Sequence, residues 1–83
     1  MTTETGIIFE DRDYYVELGL NIAFYRKRLG MTQEVLAEKL NISRAHLGAI
    51  EAPNIIRPMS LELLFKIART LNVEPYKLLQ VRD

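Results

Sequence analysis

The 83-residue sequence carries 11 basic and 11 acidic side chains, a single histidine and no cysteine. A chain of this length is expected to form one domain, without a separate catalytic or sensor domain beside it. The lack of cysteine excludes disulfides and thiolate metal sites, and with His46 as the single histidine we expect no metal or other cofactor.

The sequence shows no signal for a membrane or for export. Its apolar runs are far shorter than the roughly 20 residues that a membrane-spanning helix needs. Its first residues also lack a basic segment followed by an apolar one. We therefore expect a cytoplasmic protein without membrane contact.

The net charge of zero hides an uneven distribution. Residues 1–20 have a net charge of −4, whereas residues 21–60 have a net charge of +3 and the remainder +1. A neutral domain argues weakly against a polyanionic partner. The basic excess in the central stretch reverses that argument for this part of the chain.

Residues 1–12 are predicted to form an N-terminal arm, and residues 13–83 the folded domain. The run Gly6-Ile7-Ile8-Phe9 is too short for a helix and is rich in β-branched and aromatic residues, which is typical of a short strand or an extended arm. Two interpretations stay open. The arm is either a frayed terminus, or its apolar side chains cover a patch on this subunit or on a partner.

A first helix is predicted from about Asp13 to Leu29. Apolar residues recur at helical spacing along one face, namely Leu18, Ile22, Tyr25 and Leu29. Gly30 is suited to the left-handed position that ends the helix. Tyr14 and Tyr15 are expected to pack at its start rather than to stack on bases.

Residues 32–51 are predicted to form two short helices joined by a tight turn. Thr32 and Ser43 are good N-caps, because a hydroxyl oxygen can accept from the free amides of a first helical turn. Asn41 tolerates the left-handed conformation of the turn, and Ile42 is expected to fill the corner. The inner faces of the two helices carry Leu36, Ala37, Leu40, Leu47 and Ile50, and the outer face of the second carries Arg44, Ala45, Gly48 and Ala49.

The remainder predicts a loop and two more helices. Residues 52–59 contain two prolines, yet the apolar Ile55, Ile56 and Met59 indicate a loop folded over the core or shared with a neighbour. Ser60 is expected to cap a fourth helix that Asn72 ends, with inward residues Leu61, Leu64, Ile67, Ala68 and Leu71. Pro75 suits the first position of a fifth short helix, with Leu78 and Leu79 docked inward.

These features together resemble the lambda Cro and repressor-like family of helix-turn-helix proteins, also called the XRE family. The resemblance covers roughly residues 17–80 and rests on Leu18-Gly19, Ile22, Arg26, Gly30, Thr32-Gln33, Leu36-Ala37, Leu40, Ile42-Ser43, Ile50-Glu51, Ser60-Leu61, Leu64, Ala68, Leu71 and Val73. Two departures are Asn41, where glycine is common, and Ala52-Pro53-Asn54, which lengthens the following loop by about two residues. The resemblance implies an all-α fold, a compact five-helix bundle of the lambda repressor-like type with a short N-terminal arm.

An ion pair is also implied by the resemblance. Arg26 lies on or beside the buried stripe of the first helix, where an unpaired charge is costly. In the family, residues at the positions of Arg26 and Glu51 form a largely buried pair between the first helix and the end of the recognition helix. The alternative, in which both side chains are solvated, stays open.

The outer face of the third helix supplies the predicted DNA contacts. Arg44 could donate to both guanine O6 and N7 in a major groove, Ala45 and Ala49 could pack on thymine methyl groups, and Gly48 allows close backbone approach. Gln33 begins a helix whose free amides suit a phosphate. His46 is either a phosphate contact or an ordinary solvated side chain. Lys27, Lys39 and Arg57 are expected to be ordinary surface cations, which contact phosphates only if they lie on the side that faces the groove.

The sequence favours two functions and argues against a third. The first is a sequence-specific transcriptional regulator that binds double-stranded DNA as a homodimer at a near-palindromic operator. The second is a protein-partner module, such as an antitoxin that neutralises a toxin, because the outer face of the third helix has one long polar side chain among alanines and glycine. An enzyme is not expected, since the sequence has no cysteine, a lone histidine, no phosphate-binding glycine loop and no pair of carboxylates in an apolar pocket pattern.

Overall fold

Five α-helices account for most of residues 11–81, the part of the chain that this computed structural model describes. They are α1 (Arg12–Arg28), α2 (Gln33–Leu40), α3 (Arg44–Glu51), α4 (Leu61–Leu71) and α5 (Pro75–Leu79). The described residues contain no β-strand, so the all-α prediction is confirmed there. Helix α1 starts at Arg12, one residue before the predicted boundary of the arm. The apolar residues Ile7, Ile8 and Phe9 lie outside the described residues.

Three helices begin at a hydroxyl residue, as predicted. The side chains of Thr32, Ser43 and Ser60 each accept a hydrogen bond from a backbone N–H three residues later, at 3.1, 2.9 and 3.1 Å. Such a bond satisfies one of the amides that a helix N-terminus leaves unpaired. Pro75 occupies the first turn of α5, where its missing N–H costs nothing.

Three helices end in the same way, through a residue with positive φ. Gly30 has φ 72°, and Asn41 and Asn72 both have φ 58°. At each end two backbone hydrogen bonds close a Schellman motif, as in the bonds from Gly30 N to Lys27 O and from Met31 N to Arg26 O. The predicted helix ends are therefore confirmed.

The core lies between α1 and the other helices. Helix α1 packs on α3, α4 and α5, while α2 packs on α3 and α4. The buried apolar side chains are Leu18, Ile22, Leu36, Ala37, Leu40, Leu47, Ile50, Leu64, Ile67, Ala68, Leu71 and Leu78. A further tie links α4 to the end of α2, because Lys66 Nζ donates to the Leu40 carbonyl at 2.9 Å.

Four apolar residues that the sequence placed inside are exposed, and those predictions were wrong. The exposed fractions are 65% for Tyr14, 50% for Leu29, 67% for Leu61 and 56% for Leu79. All four lie at helix ends: in the first turn of α1, just after α1, at the first residue of α4 and at the last residue of α5. A terminal turn extends past the neighbouring helices. A side chain on the inward face of such a turn is therefore left exposed, because no other helix covers it.

The loop between α3 and α4 is only partly folded onto the core. Met59 packs against the core, and Ile56 is half-buried. Ile55 is 44% exposed. Within residues 11–81, every helix is too short or too polar to cross a lipid bilayer.

Candidate nucleic-acid interface

Helices α2 and α3 form a helix-turn-helix whose second helix has one face outward. The chain reverses at Asn41 in its left-handed conformation, and Ile42 packs against the core beneath the turn. Ser43 then caps α3, which buries Leu47 and Ile50. The face opposite these two side chains is open to solvent.

A buried ion pair holds the end of α3 against α1. Arg26 Nε donates to Glu51 Oε2, and Arg26 Nη2 donates to Glu51 Oε1, each at 2.9 Å. Both residues are buried. The third nitrogen, Arg26 Nη1, donates to the Met31 carbonyl at 2.8 Å, so the guanidinium also fixes the chain between α1 and α2. Two parallel bonds between a guanidinium and a carboxylate also fix their relative orientation.

Glu51 also binds the first residue of α2. Gln33 Nε2 donates to Glu51 Oε1 at 2.9 Å. The Gln33 side chain lies along α3, because its Oε1 would be 3.7 Å from a Cβ added at Gly48. The sequence had suggested a phosphate role for Gln33 but gave no sign of this bond. One carboxylate therefore accepts from two helices and fixes the orientation of α3.

The starts of α2 and α3 both leave two backbone amides for an external acceptor. In α2 the N–H groups of residues 35 and 36 bond to the Oγ1 and carbonyl oxygens of Thr32. In α3 the N–H groups of residues 46 and 47 bond in the same way to Ser43. The N–H groups of residues 33, 34, 44 and 45 precede these bonds and point out of the helix ends, where the helix dipole favours an anion.

The predicted contact residues on α3 share its outward face. Arg44 and Ala45 are exposed, and the half-buried ones are His46, Gly48 and Ala49. The first turn of α3 therefore presents the exposed cation Arg44, and the small side chains follow it along the same face. Such a face can enter the major groove of DNA, which is wide enough to admit a helix.

Two other predicted cations are not on α3. Lys39 is exposed in the last turn of α2. It lies six residues after Gln33, which is about 9 Å along the axis and roughly 120° around the helix. Lys39 therefore points away from the side on which Gln33 meets α3. Arg57 is exposed in the loop before α4. Within residues 11–81, no group of His, Asp and Glu side chains is placed to hold a metal ion.

Gly19 positions α3 against α1, and Asn21 holds the end of α5; the sequence pattern had assigned neither residue a role. Gly19 faces the Ile50 carbonyl so closely that a Cβ there would overlap with it. Asn21 is fully buried, and its Nδ2 donates to the carbonyls of Leu78 at 2.9 Å and Gln80 at 2.7 Å. A glycine within a helical pattern and a polar residue beside the apolar stripe were the signals that could have revealed them.

Comparison with known proteins agrees with this geometry. A profile of the family described as Helix-turn-helix matches residues 22–78. A relative from Bacillus licheniformis, the HTH-type transcriptional regulator SinR, is 33% identical over 66 residues, or 80% of this chain. This chain spans 59% of the length of that relative.

Three solved structures share the fold. A hypothetical transcription factor, NHTF from Neisseria, has a TM-score of 0.75 at 28% identity, covering 84% of this chain and 78% of its own. The restriction-modification controller protein C.AhdI from Aeromonas hydrophila has a TM-score of 0.74 at 29% identity, covering 83% and 97%. SinR, the master regulator for biofilm formation, in complex with DNA, has a TM-score of 0.69 at 33% identity, covering 76% and 98%.

The capped α2 and α3, the Asn41 turn and the family match over more than half of the chain lead to one assignment. The chain belongs to the XRE-type helix-turn-helix family.

Proposed function

We propose that this protein is a sequence-specific DNA-binding transcriptional regulator that acts as a homodimer at a near-palindromic operator. The observation that carries the proposal is the fixed orientation of α3, whose end is bound through Glu51 to both α1 and α2 while Arg44 and Ala45 stay exposed. A rigid scaffold that presents an open helix suits major-groove reading. The similar structure of SinR with DNA supports the same role.

Within this proposal, base contacts and phosphate contacts come from different parts of the site. Arg44 reads a guanine, while Ala45 and Ala49 pack on thymine methyl groups and Gly48 lets the backbone approach. The free amides at the starts of α2 and α3 bind phosphates, and the side chains that can add to them are His46 and Arg57. Lys39 points away from this side, so we leave it out of the contact set and use it as a control.

The dimer follows from the size of the recognition helix. Helix α3 has eight residues and is about 12 Å long, so one copy contacts too few base pairs to select a single site. Two copies related by a two-fold axis double the sequence that is read. Exposed apolar side chains that could form the dimer contact include Ile55, Phe65 and Tyr76.

The composition of α3 also favours a second candidate, a protein-partner module such as an antitoxin. Its outward face presents Ala45, Gly48 and Ala49 beside a single long polar side chain, Arg44. Small side chains give a flat surface on which a protein could also pack. In that case DNA binding would be secondary or absent.

Selection of genomic DNA fragments with the purified 83-residue protein distinguishes the two candidates. The regulator proposal predicts enrichment of a motif with two related half-sites. Titration of the selected duplex against a scrambled one should then show tighter binding of the selected sequence. Equal binding of both duplexes would reject the regulator proposal and favour the protein-partner module.

A further inference from the structure

One face of α4 is exposed from the start of the helix to its end. The exposed residues on it are Leu61, Glu62, Phe65 and Arg69, followed by the C-cap Asn72. At about 100° per residue these five positions fall within an arc of roughly 100°, with Phe65 near its middle. The two apolar residues are 67% and 43% exposed for Leu61 and Phe65. We call these five residues the α4 face.

The two charges of the α4 face are opposite in sign and lie towards its opposite ends. Glu62 is in the first turn of α4 and Arg69 is in the last turn. They are seven residues apart, which is about 10 Å along the axis and only about 20° around the helix. Among residues 11–81, neither side chain forms a hydrogen bond or an ion pair. Reversal of the helix direction therefore exchanges the positions of two unpaired opposite charges.

We propose that the α4 face is the dimer interface, on which α4 of a second copy packs antiparallel across a two-fold axis beside Phe65. In this arrangement Glu62 of each copy lies against Arg69 of the other, so the interface has two identical ion pairs. A two-fold interface must be complementary to itself, and the charges of the α4 face meet this condition. The inference rests on the homodimer of the proposed function and assigns a surface to it.

The apolar part of the α4 face is complementary to itself as well. A cleft of about 650 Å³ runs beside the second half of α4, and the α4 residues that line it, with the C-cap, are Phe65, Ala68, Arg69 and Asn72. Their spacing is that of the four residues that form a hole for a side chain of a facing helix. When Glu62 of one copy opposes Arg69 of the other, Leu61 comes to the level of residue 70, midway along this hole. Insertion there removes the exposed Leu61 from water.

The other charged groups beside the α4 face do not oppose this pairing. Lys66 Nζ is directed towards α2, where it donates to the Leu40 carbonyl at 2.9 Å. Glu74 and Lys77 line the far side of the cleft and have opposite charges, so together they add no net charge to it. The ion pairs between Glu62 and Arg69 therefore determine the direction in which the two helices pack.

Charge reversal at the two ends of the α4 face tests the antiparallel pairing. In a dimer of Glu62→Arg two arginines would oppose each other at both contacts, and in a dimer of Arg69→Glu two glutamates would. We expect either substitution to raise the dimer dissociation constant by at least about tenfold in sedimentation without DNA. In a 1:1 mixture of the two variants, each contact regains one arginine and one glutamate. Native mass spectrometry should then show the mixed dimer in excess over both dimers of identical chains.

The matched controls are Glu34→Arg and Lys39→Glu. Glu34 and Lys39 lie in the first and last turns of α2, so their reversal changes the same helix-dipole interactions away from the α4 face. Both variants should dimerise like the wild type, and formation of the mixed dimer shows that the two α4 variants are folded.

The results that contradict the inference are distinct from those that contradict the proposed function. A wild-type dimer that neither α4 variant weakens, or a mixture without preference for the mixed dimer, would place the interface elsewhere and overturn this inference alone. A wild-type monomer would overturn the homodimer of the proposed function together with its interface. Selection of a DNA motif by the wild type is a separate measurement, which does not depend on the α4 face.

Discussion

The Arg26 guanidinium and the Glu51 carboxylate form two parallel hydrogen bonds of 2.9 Å in the interior of the protein. Both side chains are buried away from water, so the charge of each is balanced mainly by the opposite charge of the other. Gln33 adds a third bond to the same carboxylate. The pair therefore links the stability of the bundle to the orientation of α3.

Removal of one partner of this pair should be much more damaging than replacement of both. We expect Glu51→Ala to lower the free energy of unfolding by about 3 to 5 kcal/mol, because it leaves the guanidinium buried without its counter-charge. The double variant Arg26→Met with Glu51→Leu should lose much less. Urea unfolding monitored by circular dichroism measures both. Additive losses in the double variant would contradict this account.

Two glycines should respond to alanine in opposite directions. Gly19→Ala places a Cβ against the Ile50 carbonyl, so α1 and α3 must separate, and we expect a loss of about 1 to 3 kcal/mol. At Gly48 the nearest atom to a new Cβ is Gln33 Oε1 at 3.7 Å, an ordinary contact. Gly48→Ala should therefore stabilise α3 by up to about 1 kcal/mol. Thermal unfolding of the two variants tests the contrast, and a similar loss at both positions would refute it.

The buried Asn21 should stabilise the end of the chain locally. Asn21→Ala removes the donor for the carbonyls of Leu78 and Gln80, and we expect a loss of about 1 to 3 kcal/mol. Hydrogen exchange should show reduced protection in α5. Asn54→Ala, at an exposed loop position, is the control and should change neither quantity. Unchanged exchange in α5 after Asn21→Ala would show that Asn21 does not hold this helix.

Arg44 should decide sequence preference, whereas Gln33 should not. On the selected duplex we expect Arg44→Ala to cost about 1 to 3 kcal/mol per half-site and to weaken the preference at one base pair. Gln33→Ala should weaken binding to all sequences alike, since a phosphate contact carries no base information. Lys39→Ala is the control and should leave the affinity unchanged. A retained preference in Arg44→Ala would exclude Arg44 as the base-reading residue.

The oligomeric state of the protein gives a further test of the proposal. The proposed near-palindromic operator requires a symmetric dimer, and the exposed Ile55, Phe65 and Tyr76 provide apolar surface for one. Sedimentation in the micromolar range should show a dimer, with or without DNA. A monomer under both conditions would remove the palindromic operator from the proposal.

The helix boundaries were predictable from the sequence because they depend on interactions between near neighbours. Thr32, Ser43 and Ser60 each bond to an amide three residues away. The left-handed turns need only a residue that tolerates positive φ, which Asn41 and Asn72 provide. Such signals are complete within four or five residues, so no knowledge of packing was needed.

The resemblance to a known family supplied what local signals could not. The pairing of Arg26 with Glu51 joins residues 25 positions apart. Its expectation came from family positions, since a buried position for an arginine says only that some partner is required. The structure contains the pair and adds Gln33 to it.

Burial at the ends of helices was decided by tertiary structure alone. Leu61 and Leu79 lie on the predicted inner faces but extend past the neighbouring helices, whereas the polar Asn21 is fully buried between α1 and the end of α5. Helical spacing shows on which face of a helix a side chain lies. It does not show how far the neighbouring helix extends, and therefore whether that side chain is covered. For the same reason, the close approach of Gly19 to the Ile50 carbonyl became visible only when the helices were placed together.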